Sequence, residues 1–326
     1  MTGLAIAVPV LVLLCFVSVW VGSRDIAFTE AWNLLWHNDG SKAALVIHDY
    51  RLPRTVLGIL VGMALGLAGA LMQAMTRNPL ADPGLLGVNS GASTGVVVAT
   101  AYVGVGSVLG HLWFAFVGAA IASVLVYVVG SSGRGPATPE RLVIAGAAVT
   151  AVCYAFDSAV LLLDPRAFND YRFWIVGSLA GRQYDVVWVI APFVVSAMLL
   201  TLSLARPLNA LSLGDDVARG LGIRVGRVRV LGVVAVMLLC GTATAAAGPI
   251  AFVGLAVPHV ARFIVGPDQR WVMAYSIVLA PILLIGSDVL GRVLGSPGEI
   301  QVGIVTALLG GPMFLALCRR RKLVAL

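Results

Sequence analysis

Asp215, Asp216 and Arg219 fall in RPLNALSLGDDVARGLGIRVGRV (206–228), a polar interruption between two apolar runs. Two adjacent acids with a base one helical turn later can charge short helices or offer handles to another protein. They lack the companions that bond-making chemistry needs. The sequence shows no phosphate-cradling Gly-rich loop, metal-ligand set, Ser/His/Asp arrangement or carboxylates paired for acid–base work. His37, His48, His111 and His259 are scattered, and Cys15, Cys153, Cys240 and Cys318 lie in or beside apolar runs without a CxxC pair. The expected chemistry is therefore non-covalent, with no enzyme activity and no cofactor or metal held by this chain.

The elements that must position these residues are set by composition. Of 326 residues, 60% are apolar and 11% charged, against about half and about a quarter in soluble domains. That balance predicts an all-α polytopic membrane protein in the inner (cytoplasmic) membrane. Hydropathy predicts about ten spans: 4–21, 55–75, 85–104, 108–129, 141–163, 186–204, 229–247, 250–265, 272–293 and 300–318. An even count places both termini on one side, and the basic tail Arg319–Lys322 argues for the cytoplasm. Fourteen of the 22 basic residues then lie inside, which includes segment 206–228. Eight remain outside, among them Arg51, Arg54, Arg166, Arg172, Arg182 and Arg292. The net charge of +7 thus reports orientation and a basic outer face, and gives no reason to expect a nucleic-acid partner.

Gly58, Gly62 and Gly66 recur every fourth position, as do Gly87, Gly91 and Gly95, which suits close helix approach in lipid. Residues 27–37 (AFTEAWNLLWH) read as an amphipathic helix at the outer interface, and 166–182 looks similar. Segment 206–228 reads as two short helices broken at Gly220 and Gly222, with Ser212 or Asp215 as N-cap. Pro249 and Pro258 remove backbone donors from the eighth span. Among acids, Asp157 alone lies well within a span, so an ion-coupled carrier is weakly supported. Energy is then expected from a partner.

Three blocks carry a resemblance that runs in order along nearly the whole chain: RLPRTVLGILVGMALGLAGALMQAMTRNPLADPGLLGVNSGAS (51–93), LSLGDDVARGLGIRV (211–225) and GPIAFVGLAVPHVAR (248–262). They resemble the FecCD-type permeases, membrane subunits of type II ABC importers for iron-siderophores, haem and cobalamin. The resemblance implies one permease domain over 1–326 with ten spans, paired with a second permease subunit. It also implies two ATPase subunits that use ATP and Mg, and a periplasmic or lipid-anchored substrate-binding protein. Within the family, NPLADPGLLGVNSGAS, RFWIVGSLAGR and LNALSLGDDVARGLG look most like the ferric-enterobactin type. This favours a heterodimer carrying a ferric siderophore, and leaves a haem or cobalamin permease, as homodimer, as the alternative.

Carried onto this sequence, the resemblance makes Leu213, Gly214, Asp215, Asp216, Ala218, Arg219, Leu221 and Gly222 the element that docks in the ATPase. Arg51, Arg54 and Arg292 match the arginines that meet acidic residues of the binding protein. Asp157, Asn169 and Gln301 are expected along the translocation path. A cytoplasmic gate is expected around Ser132, Thr138 and Pro139.

Overall fold

A computed structural model describes residues 2–22, 26–132 and 139–319. The chain is nearly all helix, with no strand among the described residues. In order the helices are α1 (Thr2–Trp20), α2 (Phe28–Trp36), α3 (Lys42–Leu45), α4 (Leu52–Thr76), α5 (Val88–Val98), α6 (Val108–Ser131), α7 (Pro139–Leu163) and α8 (Pro165–Trp174). There follow α9 (Tyr184–Ser203), α10 (Ala205–Ser212), α11 (Asp215–Gly220), α12 (Val225–Ala247), α13 (Val253–Val265), α14 (Gln269–Leu294) and α15 (Val302–Arg319).

Seven of these are long and apolar enough to cross a membrane among the described residues: α1, the run from α3 through α4, and α6, α7, α9, α12 and α14. Two of the three other expected spans hold shorter helices, each for a local reason. In 85–104, a 3-10 turn at Pro83–Leu86 precedes α5, and a π turn at Ala99–Val103 follows it. In 250–265 the chain runs without helix from Gly248 to Ala251, and Phe252 takes a left-handed conformation (φ 68°), so α13 starts only at Val253. Pro249 thus precedes a helix instead of bending one, and Pro258 lies inside α13. The tenth is α15, whose apolar part covers Val302–Leu315.

Helix α4 is the hub, enclosed by α14, α12, α13 and α9. Its glycines set the spacing. A Cβ at Gly62 would stand 2.7 Å from the backbone of Pro281, and one at Gly66 would meet Ala280 and Ser276, so both glycines face α14. Gly91 and Gly95 pack in the same way against Gly118 and Phe114 of α6. With only lipid as the competing solvent, this backbone contact supplies the dispersion that holds the helices together.

The expected amphipathic helix is α2, with Ala31 and Leu34 buried and Trp32 and Trp36 exposed. Trp32 lies 5.6 Å from Phe16 of α1, and Trp20 lies 5.4 Å from Phe28. In 166–182 the helix α8 ends at Trp174, and the rest is irregular.

Candidate functional site

Segment 206–228 forms two short helices, but the break falls at Leu213–Gly214 and not at Gly220 and Gly222, which close the second helix. Gly214 adopts φ 113°, a backbone that a side chain would strain, and it is itself the N-cap of α11. Neither expected N-cap serves. The Ser212 hydroxyl donates to Asn209 O at 2.7 Å, and Asp215 is already the first helical residue.

The Asp215 carboxylate faces the bundle. It accepts from Arg77, just past the end of α4, and from Arg229 Nη2 in α12 at 2.8 Å. Thus one acid ties α11 to both central helices. Asn209 of α10 donates to Asp268 Oδ1 at 2.7 Å and accepts from Gln269 N at 2.8 Å, which ties α10 to the start of α14. The Asn209 donor is the main cause that holds the Asp268 carboxyl below its usual range, with the Arg270 backbone N–H adding to it. Asp216 and Arg219 pair with each other at 2.8 Å and are largely exposed.

Leu208, Leu211 and Ala218 are buried beneath these helices, while Leu213, Val217 and Leu221 are exposed. The exposed three recur every fourth residue, Leu213 at the end of α10, Val217 within α11 and Leu221 one turn later at its end, and are termed the ridge. Sequence reasoning named Leu213 and Leu221 but missed Val217, and it missed Arg77 and Arg229 as anchors. The period of four in LGDDVARGL was available for Val217. The arginines lie too far along the chain for any local signal.

At the opposite end of α4 the three candidate arginines come together, but two are not presented outward. Arg51 (5% exposed) donates to Val19 O at 3.0 Å and to Trp20 O. Arg292 (2%) donates to Ser18 O and Val21 O, both at 2.7 Å. These carbonyls end α1, where unsatisfied acceptors and the helix dipole favour cations. Arg54 grips Asp288 with two nitrogens, at 3.0 and 2.8 Å, and reaches Glu299 at 2.7 Å. Asp288 also meets Arg292 at 3.1 Å. The basic outer surface expected here is therefore a mostly internal network. Arg51, Arg54, Arg292 and Glu299 border a recess of ≈ 390 Å³.

The path candidates are not brought together. Asp157 on α7 is buried against Ser93 and Thr94 of α5, and its Oδ1 has no hydrogen-bond partner among the described residues. Asn169 is exposed on α8. Gln301 lines a different hollow of ≈ 370 Å³ with His111, Asp170 and Arg182; burial there lowers the pKa of Arg182 from its usual value. Of the gate candidates, Ser132 caps α6 by donating to Val128 O, Pro139 opens α7, and Thr138 lies outside the described residues. No group of three or more His, Cys, Asp or Glu able to hold a metal occurs among the described residues.

Comparison with known proteins agrees with this architecture. The model of the FecCD transport family matches residues 10–320. The "ferric enterobactin transport system permease protein" of Escherichia coli K12 is 44% identical over 97% of this chain and 96% of its own. The "Fe(3+)-citrate import system permease protein" of Bacillus subtilis is 41% identical, over 93% of this chain and 90% of its own. A solved structure described as an inward-facing conformation of a putative metal-chelate type ABC transporter superposes with a TM-score of 0.85, at 26% identity, over 96% of this chain and 97% of that one. The chain is thus a multi-pass membrane permease subunit, and it belongs to the FecCD transport family.

Proposed function

We propose that this chain is one half of the membrane pore of an ATP-driven importer that carries a ferric siderophore into the cytoplasm. The observation that carries the mechanism is Asp215. Its two arginine partners join the exposed Leu213–Val217–Leu221 ridge rigidly to α4 and α12, so a push on the ridge moves the packed bundle. A separate ATPase subunit, using ATP and Mg, would grip that ridge together with Gly214, Asp216, Ala218, Arg219 and Gly222. The end carrying α10 and α11 then faces the cytoplasm, with both termini on that side of the inner membrane. Ten crossings follow if α5, α13 and α15 complete their spans with the irregular segments beside them.

Helix α7 supports a second permease subunit. Val152, Tyr154, Leu162 and Leu163 are 71–85% exposed, apolar surface that such a subunit would cover in part. The identity with the ferric enterobactin relative favours a related but distinct partner and a siderophore cargo over haem. Arg54 is the residue best placed to meet an acidic binding protein, whose carboxylates would replace Glu299; Arg51 and Arg292 would steady the recess behind it. Asp157, Asn169 and Gln301 remain proposed path residues and Ser132, Thr138 and Pro139 proposed gate residues.

The test is uptake of radioactive iron as a tris-catecholate complex into proteoliposomes holding this chain, a second permease, the ATPase and the binding protein. Uptake should require internal ATP. Uptake by the chain alone, driven by a pH or Na⁺ gradient, would replace this reading with an ion-coupled carrier.

A further inference from the structure

A cavity of ≈ 720 Å³ opens between the Asp215-end termini of α4, α6, α7 and α12. Its volume lies within the roughly 300–1,000 Å³ of small-ligand sites. The walls are apolar, formed by Met72, Met75, Leu86, Leu142 and Val233. The mouth carries Arg219, Arg224, Arg227 and Arg229. Arg219 and Arg229 are engaged by Asp216 and Asp215. Arg224 and Arg227 are exposed, and neither forms a salt bridge among the described residues.

The two halves of this site ask for different things. Met and Leu walls have nothing to offer a free anion, and two unpaired guanidinium groups have nothing to offer an apolar side chain. A ligand with a hydrocarbon tail and an anionic head satisfies both. The candidate membrane span of α12 begins at Val225 and that of α4 ends at Thr76, which would put the mouth near headgroup depth. Val128 and Val129 of α6 and Val230 of α12 are exposed, so apolar surface continues from the cavity onto its flank.

We propose that this cavity seats an acyl chain of an anionic phospholipid, with the lipid phosphate held between Arg224 and Arg227. Basic pockets between membrane helices recognise headgroups by this combination of charge and shelter. The leaflet concerned is the cytoplasmic one, which rests on the orientation proposed above; the binding itself does not. The phosphate would lie beside the Arg229–Asp215 pair, so occupancy would stiffen the same junction that receives the push.

The full-length chain in neutral detergent, examined by native mass spectrometry with phosphatidylglycerol and phosphatidylcholine of identical acyl chains, tests the site. The phosphatidylglycerol adduct should persist at ratios where the phosphatidylcholine adduct is lost. Replacing both Arg224→Gln and Arg227→Gln should cut its retention by about tenfold or more without changing the melting temperature. Val233→Phe, which narrows the walls, should lower retention of both lipids. Equal retention of the two lipids, or full retention by the double arginine variant, overturns the proposal. Displacement of the lipid by millimolar inorganic phosphate would overturn it in favour of a free anion. Loss of ATPase association in the double variant, with lipid retention unchanged, would assign the arginines to a protein contact. Because the adduct forms in detergent, an inverted orientation would leave it intact, whereas failure of the site would abolish it.

Discussion

Asp215 accepts a hydrogen bond from Arg229, fourteen residues further along the chain, at 2.8 Å, and its other oxygen takes one from Arg77. Both pairs are partly exposed, so each is worth only about 0–1 kcal/mol of stability. Their value lies in position. Asp215→Ala should leave insertion and melting temperature nearly unchanged while ATP-dependent uptake falls by roughly 5- to 150-fold, the range of a 1–3 kcal/mol coupling between sites. Uptake in proteoliposomes beside a detergent melt checks both halves. A variant that melts early and also transports poorly would make Asp215 a fold residue.

The ridge separates binding from coupling. Val217 is 50% exposed on α11, so Val217→Glu should alter the chain's own stability by no more than about 0.5 kcal/mol. It should instead abolish retention of the ATPase subunit on an affinity column, because a carboxylate would be buried in an apolar contact. Retained ATPase with full uptake would move the contact elsewhere.

How far the sequence reaches is clear from these residues. The all-helical multi-pass class, the polar segment and its amphipathic spacing were legible because hydropathy and helical period are local, whereas seven of the ten expected spans are helices long and apolar enough to cross a membrane among the described residues. The partners of Asp215 were not, since Arg77 lies 138 positions before it and only packing brings them together. The same limit explains the outer arginines. A basic residue at the end of an apolar run reads as solvent-facing, but Arg51 and Arg292 turn inward to the carbonyls that end α1, more than thirty and 270 positions away in sequence. Spans 85–104 and 250–265 read as continuous because hydropathy sums side chains and does not register the backbone, which turns left-handed at Gly87 and at Phe252.

Asp288 is the counter-charge of that inward network. It is 2% exposed, between Arg54 at 2.8 Å and Arg292 at 3.1 Å. Removing its charge leaves two cations underpaired in a poorly solvated site, so Asp288→Asn should cost about 3–5 kcal/mol. Glu299 is 29% exposed and forms its salt bridge with Arg54 among the described residues, so Glu299→Gln should cost less than about 1 kcal/mol. The second change also frees one nitrogen of Arg54, so binding-protein association should strengthen, most visibly at low salt. Detergent melts and surface-bound association measurements across ionic strength distinguish the two carboxylates. Equal destabilisation by both would mean that the network is shared evenly and that Arg54 is not available to a partner.

The glycines of α4 make the last prediction, and it discriminates between two reasons for a glycine. A Cβ at Gly69 would collide with the backbone carbonyl of Gly254 at the start of α13, and backbone cannot rotate away as a flexible side chain can. A Cβ at Gly220, at the end of α11, meets nothing within 4 Å. If Gly69 is kept for close packing, Gly69→Ala should destabilise the chain by about 1–3 kcal/mol or more by prying α13 from α4. Gly220→Ala, at a position with no positive φ, should be neutral or stabilising by up to about 1 kcal/mol through helix propensity. The pair is measured by melting in one detergent. A tolerated Gly69→Ala would show that α13 is free to shift against α4, so that a push from Asp215 into α4 would not be passed on rigidly to α13.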